Sequence, residues 1–480
     1  MRKKLSLNKV VKNFISLTLA NIIGQFLVFI ATIYIARYFG PEKFGIINFS
    51  NAIVMYFIVI SNFGLQTLGT IELAKSNNNI NKKVNNILSL RLILATFAYV
   101  FIIIFALLIN KNSIYKLNIL FYGLLVFPSA IYVDWIFNAN EEMQYNSYSI
   151  IIKNFIYAIF VIVSIFIFKL KNIYYIAIFM FFASLISSLY LLIMVYKIYN
   201  LKFKFNLDFV DYKVLLKEGY PFFFSGIFAT INSNIATIML GFLRSDYEIG
   251  LYNSVYKIVN VFIMIAGLLF TPIYPVLIKY YNEKKYENLS NLINYLRKLI
   301  YIISVPLIFG SIILNKEIIL ILYGNKYNDA STTFIYLMIY VSILFIREVY
   351  GYSLNAWNLQ KKYMKIVLIS SIYNIISNFL FIRILGFEGA AINTLISELI
   401  NLSLMFIQSN KAIKINYNNN FIYKILISCM LMTFSIYVFK YITHNGILLT
   451  IIGIIIYVLS LSITKTLTKD DLKTMTIKNS

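Results

Sequence analysis

Long apolar stretches, each about the length of a membrane crossing, alternate along this chain with short polar gaps. Fourteen can be read, at residues 12–36, 45–69, 86–109, 117–138, 150–168, 173–196, 219–243, 251–278, 298–315, 331–356, 364–382, 389–409, 425–442 and 446–464. A helix rising 1.5 Å per residue needs about 20 apolar residues to cross a hydrocarbon core of ~30 Å. The pattern therefore predicts an all-α integral membrane protein with about fourteen transmembrane helices. The longest gap, residues 197–218, is too short for a soluble domain and predicts an amphipathic segment joining two halves.

Inside the spans, polar residues recur at helical spacing. Thr18, Asn21, Gln25 and Thr32 mark span one, and Asn48, Asn51 and Asn62 mark span two. Span seven offers Thr230, Ser233 and Thr237; span eight offers Asn253, Lys257 and Asn260, with Gly267 and Thr271 further along. Residues three or four apart share one helix face. A polar face in hydrocarbon points either at other protein or at a water-filled cavity. Single Ser or Thr residues read as interhelical glue, at ~0.6 kcal/mol each; the combined stripes of spans one, two, seven and eight read as a cavity lining. Spans eleven (Ser370, Asn374, Asn378) and twelve (Asn393, Ser397, Asn401) carry similar stripes whose facing stays open.

Charge sets the orientation. Of 43 Lys and Arg, 30 lie at the N-terminus and in every second gap after it, and 11 lie in the other gaps. By the positive-inside rule both termini are cytoplasmic. The net charge of +24 is then a collar facing anionic membrane lipids, with no nucleic acid implied. Only Lys257 and Arg347 remain, and both fall inside spans. Lys257 lies about six residues, ~9 Å, from the outer end of span eight, and is either a cavity cation or a snorkelling stem. Arg347 is deeper, about nine residues from the inner end of span ten. A central charge costs at least ~2.5–3.5 kcal/mol, which makes function its default reading. Glu348 adjoins it, but neighbouring helix positions do not face each other, so different partners are expected. Glu398, central in span twelve, is either a partner for a cation or the carrier of a coupling proton. Asp134, near the inner end of span four, is an ion-coupling candidate or an interfacial carboxylate.

Composition agrees and narrows the chemistry. The chain is 60% apolar and 13% charged with a mean hydropathy of +0.77, against about 45–50% and ~25% in soluble domains. Cys429 is the only cysteine and His444 the only histidine, so no disulfide framework, metal site, cofactor or His-dependent catalytic group is expected. The basic N-terminus runs into a full-length span without an A-x-A site, so no cleaved signal peptide is expected. Pro272 and Pro275, in the inner half of span eight, read as a hinge or a static kink.

The halves echo each other. Gly40–Asn48, entering span two, matches Ser245–Asn253, entering span eight, at an offset of 205 that aligns Gly45 with Gly250 and Asn48 with Asn253. Lys257 then corresponds to Ala52. Leu90-Arg91 matches Leu296-Arg297 at the entrances of spans three and nine. Six spans per copy is an even number, so the copies share one orientation, as in parallel transporter repeats. The expected organisation is an N-terminal lobe at 1–205, a second lobe at 206–418, and two further helices with a tail at 419–480.

The stretch Ile35–Gly45 (IARYFGPEKFG) followed by Ser61–Leu65 (SNFGL) resembles the bacterial oligosaccharide flippases, transporters of O-antigen and capsule repeat units in the multidrug/oligosaccharidyl-lipid/polysaccharide exporter superfamily. Asp134–Phe137 (DWIF) before Glu141 and Glu142, and Gly219–Phe222 (GYPF), are similar to that family as well. The resemblance covers most of residues 10–410. It implies two six-helix lobes around a central cavity, alternating access in a bacterial cytoplasmic membrane, and a polyprenyl-diphosphate-linked oligosaccharide moved to the outer leaflet. It also implies a polysaccharide polymerase and a chain-length regulator as partners. Lys257 and Arg347 would neutralise the diphosphate, while Asn21, Gln25, Asn48, Asn253 and Asn260 would offer the sugars donors and acceptors. The similar lipid II flippases carry arginines within helix one, where this chain has Asn21 and Gln25. That departure disfavours a lipid II substrate. A drug/cation antiporter would be expected to have twelve spans and an acidic cavity. A membrane glycosyltransferase would be expected to have a large loop or cytoplasmic domain with clustered carboxylates.

Overall fold

The apolar stretches fold as helices. The computed structural model describes residues 7–75 and 79–466, with side chains from residue 16, and shows no strand among them. The terminal cations Arg2, Lys3, Lys4, Lys469, Lys473 and Lys478 lie outside the described residues. Twelve described helical segments are long and apolar enough to cross a membrane. Two of them, Ser16–Lys75 with 60 residues and Gln360–Ala412 with 53, are too long for one crossing. At 1.5 Å per residue they would run about 90 and 80 Å against a core of ~30 Å. Each is broken by a glycine far from helical geometry: Gly40 at φ 78°, ψ 171° and Gly386 at φ 63°, ψ −139°. Each is thus two crossings, which brings the total to the expected fourteen or so.

The helices are α1 (Leu7–Asn62), α2 (Leu65–Lys75), α3 (Ile80–Leu108), α4 (Ser113–Gly123), α5 (Val126–Ala130), α6 (Asp134–Ala139), α7 (Gln144–Phe166), α8 (Tyr174–Tyr199) and α9 (Phe209–Leu243). They continue as α10 (Asp246–Phe270), α11 (Tyr274–Asn282), α12 (Tyr286–Tyr323), α13 (Ser331–Ala356), α14 (Gln360–Ala412), α15 (Ile422–Lys440) and α16 (Gly446–Ile463). Packing divides the chain into two compact units, Met1–Gly250 and Leu251–Ser480. This packing boundary falls one helix later than the repeat boundary at 205/206, because α9 packs on α1 and α2. Phe63 stacks on Phe223 with ring centroids 4.4 Å apart, and Phe49 meets Phe242 edge-on at 5.5 Å.

Within the first unit, span four is three short helices rather than one. The chain bends at Leu124–Leu125 and again at Ile131–Val133, with Pro128 inside the middle piece. The linker before α9 is extended and pinned to the start of α3. The amide of Asn206 donates to Ser89 Oγ at 2.9 Å, and Lys82 reaches Asp208 at 3.1 Å and Asp211 at 2.9 Å. Here too the repeated motifs meet. A Cβ on Gly45 would lie 2.0 Å from the Asp246 carbonyl oxygen, and one on Gly250 would lie 1.9 Å from that of Pro41. The offset of 205 carries Pro41 to Asp246 and Gly45 to Gly250, so it converts each contact into the other.

In the second unit, α10 ends at a break over residues 271–273 that contains Pro272, and α11 starts with Pro275 in its first turn. A kink is therefore present where the prolines predicted one. The halves of α14 fold back on each other: Ser377 Oγ donates to Asn393 Oδ1 (2.6 Å), Asn374 Nδ2 to Ser397 Oγ (2.9 Å) and Ser370 Oγ to Asn401 Oδ1 (2.7 Å). One number falls as the other rises, which defines an antiparallel hairpin. Helices α15 and α16 pack on each other and on α12 around Leu314, Ile425, Met432 and Leu449.

Candidate functional site

Helix α13 runs through the second unit with most of its surface covered by α12 and α14. It carries Arg347 into a protein interior, where a lone cation would be costly. The guanidinium is paired twice. Its Nε donates to Glu398 Oε1 on α14 at 2.6 Å, and Nη1 lies 3.0 Å from Glu348 Oε1. The side chains are 12% (Arg347), 7% (Glu398) and 20% (Glu348) exposed. Gly351, one turn on, leaves room: a Cβ there would stand 3.7 Å from Nη1. Glu398 Oε2 also accepts from Asn401 Nδ2 at 3.3 Å, which joins the triad to the polar ladder of α14.

One expectation changes here, and one question left open by the sequence closes. Arg347 and Glu348 do meet, because both side chains are long enough to bend around the helix although their Cβ atoms diverge. The stripes of spans eleven and twelve face each other across the hairpin, so Ser370, Asn374, Ser377, Asn393, Ser397 and Asn401 are interhelical glue.

Lys257 on α10 is different. It is half-buried and has no ion pair or hydrogen bond among the described residues. Its stripe runs from covered to open: Asn253 is 5% exposed, Asn260 is exposed, and a Cβ on Gly267 would meet nothing within 4 Å. Asn48, the repeat counterpart of Asn253, is likewise buried at 6% and donates to the Phe44 carbonyl at 2.8 Å. These two asparagines are alike in burial, and the cation beyond one of them has no counterpart.

The other candidates of the first unit are dispersed. Asn21 is half-buried and donates to the Leu17 carbonyl at 2.9 Å, while Gln25 is exposed on α1. Asp134 opens α6, and Gln66 Nε2 donates to its Oδ1 at 2.6 Å. Near it, Arg91 is fully buried, donating to Asn62 Oδ1 (2.5 Å), Ser129 O (2.5 Å) and Tyr132 O (3.0 Å). Arg297, its repeat counterpart, is 5% exposed and donates to Asn419 Oδ1 at 2.9 Å.

The expectation that only Lys257 and Arg347 stand within spans is corrected. Arg91 lies eleven residues along α3 and Lys153 nine along α7. Span five had been expected to begin at 150, but α7 starts at Gln144. Its polar first turns are buried, with Asn146 donating to Asn138 Oδ1 at 2.8 Å and Ser149 bonded to Ser187 at 2.7 Å. Such internally bonded Asn and Ser look like loop to a hydropathy count. The run of three isoleucines before Lys153 was the signal available.

The profile of the polysaccharide biosynthesis protein family matches residues 10–281, more than half of the chain. The chain belongs to that family. The MatE family profile matches residues 221–380. Among curated relatives, a putative O-antigen transporter of Escherichia coli K12 is 24% identical, with 79% of this chain and 92% of the relative aligned. The capsular polysaccharide biosynthesis protein CapF of Staphylococcus aureus is 23% identical, over 82% of this chain and 97% of CapF. Among solved structures, the lipid II flippase MurJ in an inward closed conformation superposes with a TM-score of 0.77 at 18% identity, covering 94% of this chain and 98% of MurJ. That match fixes the fold of this polysaccharide biosynthesis family member as a multi-pass all-α fold shared with MurJ.

Proposed function

We propose that this chain is a flippase that carries polyprenyl-diphosphate-linked oligosaccharide repeat units from the inner to the outer leaflet of a bacterial cytoplasmic membrane, by alternating access and without cleaving them. The observation that carries the reading is Lys257, an unpaired cation on a helix face that opens at Asn260 and Gly267. An anionic head group crossing a low-dielectric region needs such a partner, and lysine serves phosphate as a point charge. The names of the O-antigen transporter and of CapF point to surface polysaccharide as the product served. Both termini are cytoplasmic in this reading, following the cation split, and a polysaccharide polymerase and chain-length regulator act downstream.

Arg347 takes a supporting role in this reading, since its charge is already balanced by two carboxylates. One guanidinium between two glutamates leaves a surplus negative charge if both ionise. Glu398, with Glu348 beside it, is therefore our candidate for a coupling proton or cation. Asp134, engaged by Gln66, is an anchor of the first unit.

Deleting the gene in a strain without a second flippase should leave repeat units on the polyprenyl carrier at the inner leaflet and reduce surface polysaccharide. Normal surface polysaccharide would overturn the proposal. In single-cysteine variants, impermeant reagents added outside should label positions 112 and 328. Labelling at 284 instead would reverse the orientation.

A further inference from the structure

Lys153 stands nine residues along α7, about 13 Å from its first turn at 1.5 Å per residue. It borders a cavity of about 230 Å³ inside the first unit, far larger than one water requires. Asn62, Gln66, Ser129, Tyr132, Ser184 and Ser188 bring polar groups to the wall. Lys153 has no ion pair or hydrogen bond among the described residues. The other charges nearby are engaged: Asp134 by Gln66 at 2.6 Å, and Arg91 by Asn62 Oδ1 and two carbonyls. The Asp134 charge acts on it from a distance, but among the described residues its three donors make no hydrogen bond.

Gln66 donates to Asp134 through Nε2 and keeps Oε1 as an acceptor, while several other polar groups of the wall can donate. Tyr132 Oη lies 3.3 Å from Ser149 Oγ, and its hydroxyl hydrogen can point inward when Ser149 donates to it. Asn62 uses its carbonyl on Arg91, leaving its amide N–H groups. The Ser184 hydroxyl has no partner among the described residues, and Ser188 is fixed by its bond to the Pro128 carbonyl at 2.9 Å. No carboxylate lines the cavity. A cation ringed by donors suits an oxyanion and repels a metal ion.

We propose that this cavity is an anion subsite that takes a phosphate-class group, with Lys153 supplying the charge and Tyr132, Asn62 and Ser184 supplying hydrogen bonds. Resting on the flippase reading, the group is the diphosphate of the lipid-linked substrate, held by the first unit apart from the contact at Lys257. A free phosphate or a phospholipid head group shares that chemistry, and the test separates the three.

The full chain is reconstituted in phosphatidylcholine nanodiscs in a Lys257→Ala background, which removes the cation assigned above to the head group. Thermal unfolding midpoints are followed while adding inorganic phosphate, inorganic pyrophosphate, polyprenyl diphosphate or phosphatidylglycerol. Pyrophosphate and polyprenyl diphosphate should raise the midpoint saturably. Lys153→Gln should weaken both at least tenfold, and Lys153→Arg should stay within about threefold. Unchanged affinity in Lys153→Gln overturns the site. If Lys153→Gln does not fold, Tyr132→Phe and Ser184→Ala should each weaken pyrophosphate severalfold, and no change in either overturns it equally. Saturation by phosphatidylglycerol or by phosphate alone would overturn the substrate assignment. Lys153-dependent pyrophosphate binding in a protein whose deletion spares surface polysaccharide would sink the flippase reading and keep the site. Lys153-independent binding in a protein whose deletion abolishes surface polysaccharide would do the reverse.

Discussion

Arg347 on α13 donates to Glu398 on α14 across 2.6 Å, so this buried arginine is committed to a carboxylate before any substrate arrives. Removing one partner of a buried ion pair strands the other, at a cost of about 3–5 kcal/mol. Arg347→Ala should therefore lower the unfolding midpoint and the membrane abundance of the protein. Glu398→Gln should do the same more mildly, since the amide still accepts a hydrogen bond. Glu348→Gln removes the surplus negative charge and should be tolerated in stability. Unchanged thermal stability in Arg347→Ala would show that the triad does not hold the second unit together.

Lys257 is predicted to behave in the opposite way. With no internal partner to strand, Lys257→Ala should leave folding within ~0.5 kcal/mol of wild type and should lose most complementation of a deletion strain. Lys257→Arg should keep part of it, and Lys257→Glu should fall below Ala by repelling the head group. Complementation read against protein abundance decides the matter. Full activity in Lys257→Ala would remove this residue from the transport path.

The crossing of Gly45 and Gly250 is backbone against backbone, with no flexible side chain to give way. Gly45→Ala and Gly250→Ala should each destabilise by at least the 1–3 kcal/mol typical of overpacking. Gly267→Ala, with open space beside it and a helical backbone, should be neutral or gain up to ~1 kcal/mol. Thermal unfolding in one detergent ranks the three, and a Gly250→Ala protein as stable as Gly267→Ala would contradict the close approach.

The linker pin should release in acid. The backbone N–H of Asp211 and then Lys82 hold the Asp208 carboxyl below its usual range. Its stabilising effect is therefore complete above the ordinary value of ~3.9 and lost as pH falls through the lower folded value. A spin label at position 205 should stay immobile at neutral pH and gain mobility only below about pH 4. Asp208→Asn should loosen it already at neutral pH. Mobility that is constant down to pH 2 in wild type would exclude this carboxylate as the pin.

What could be read along the chain was whatever repeats every turn or every span. Hydropathy located the crossings, and the Gly45 and Gly250 motifs located the repeat, because both depend on local composition. The partners of Arg347 were only half legible. Glu398 was recognisable as a lone acid in a span, but its register against Arg347 is set by the turn at Gly386, which joins the halves of α14. Lys153 was hidden for a different reason. The Asn and Ser residues that open α7 bond inside the protein, so they count as polar in a scale while costing little in the fold. The same satisfaction explains why the stripes of spans eleven and twelve resembled a cavity lining: an asparagine facing another asparagine and one facing water look identical until the helices are paired.

The contacts of Pro41 with Gly250 and of Gly45 with Asp246 are images of one another, which is how an ancestral half-length chain would have met a second copy of itself across a two-fold axis. Such a pair is bound by its symmetry: any residue it places near the axis appears twice or not at all. Seven residues beyond Gly45 this chain has Ala52, and seven beyond Gly250 it has Lys257. A single chain is free of that constraint. It can carry a lysine at one of two equivalent positions and an alanine at the other, and so present an asymmetric face from a symmetric frame.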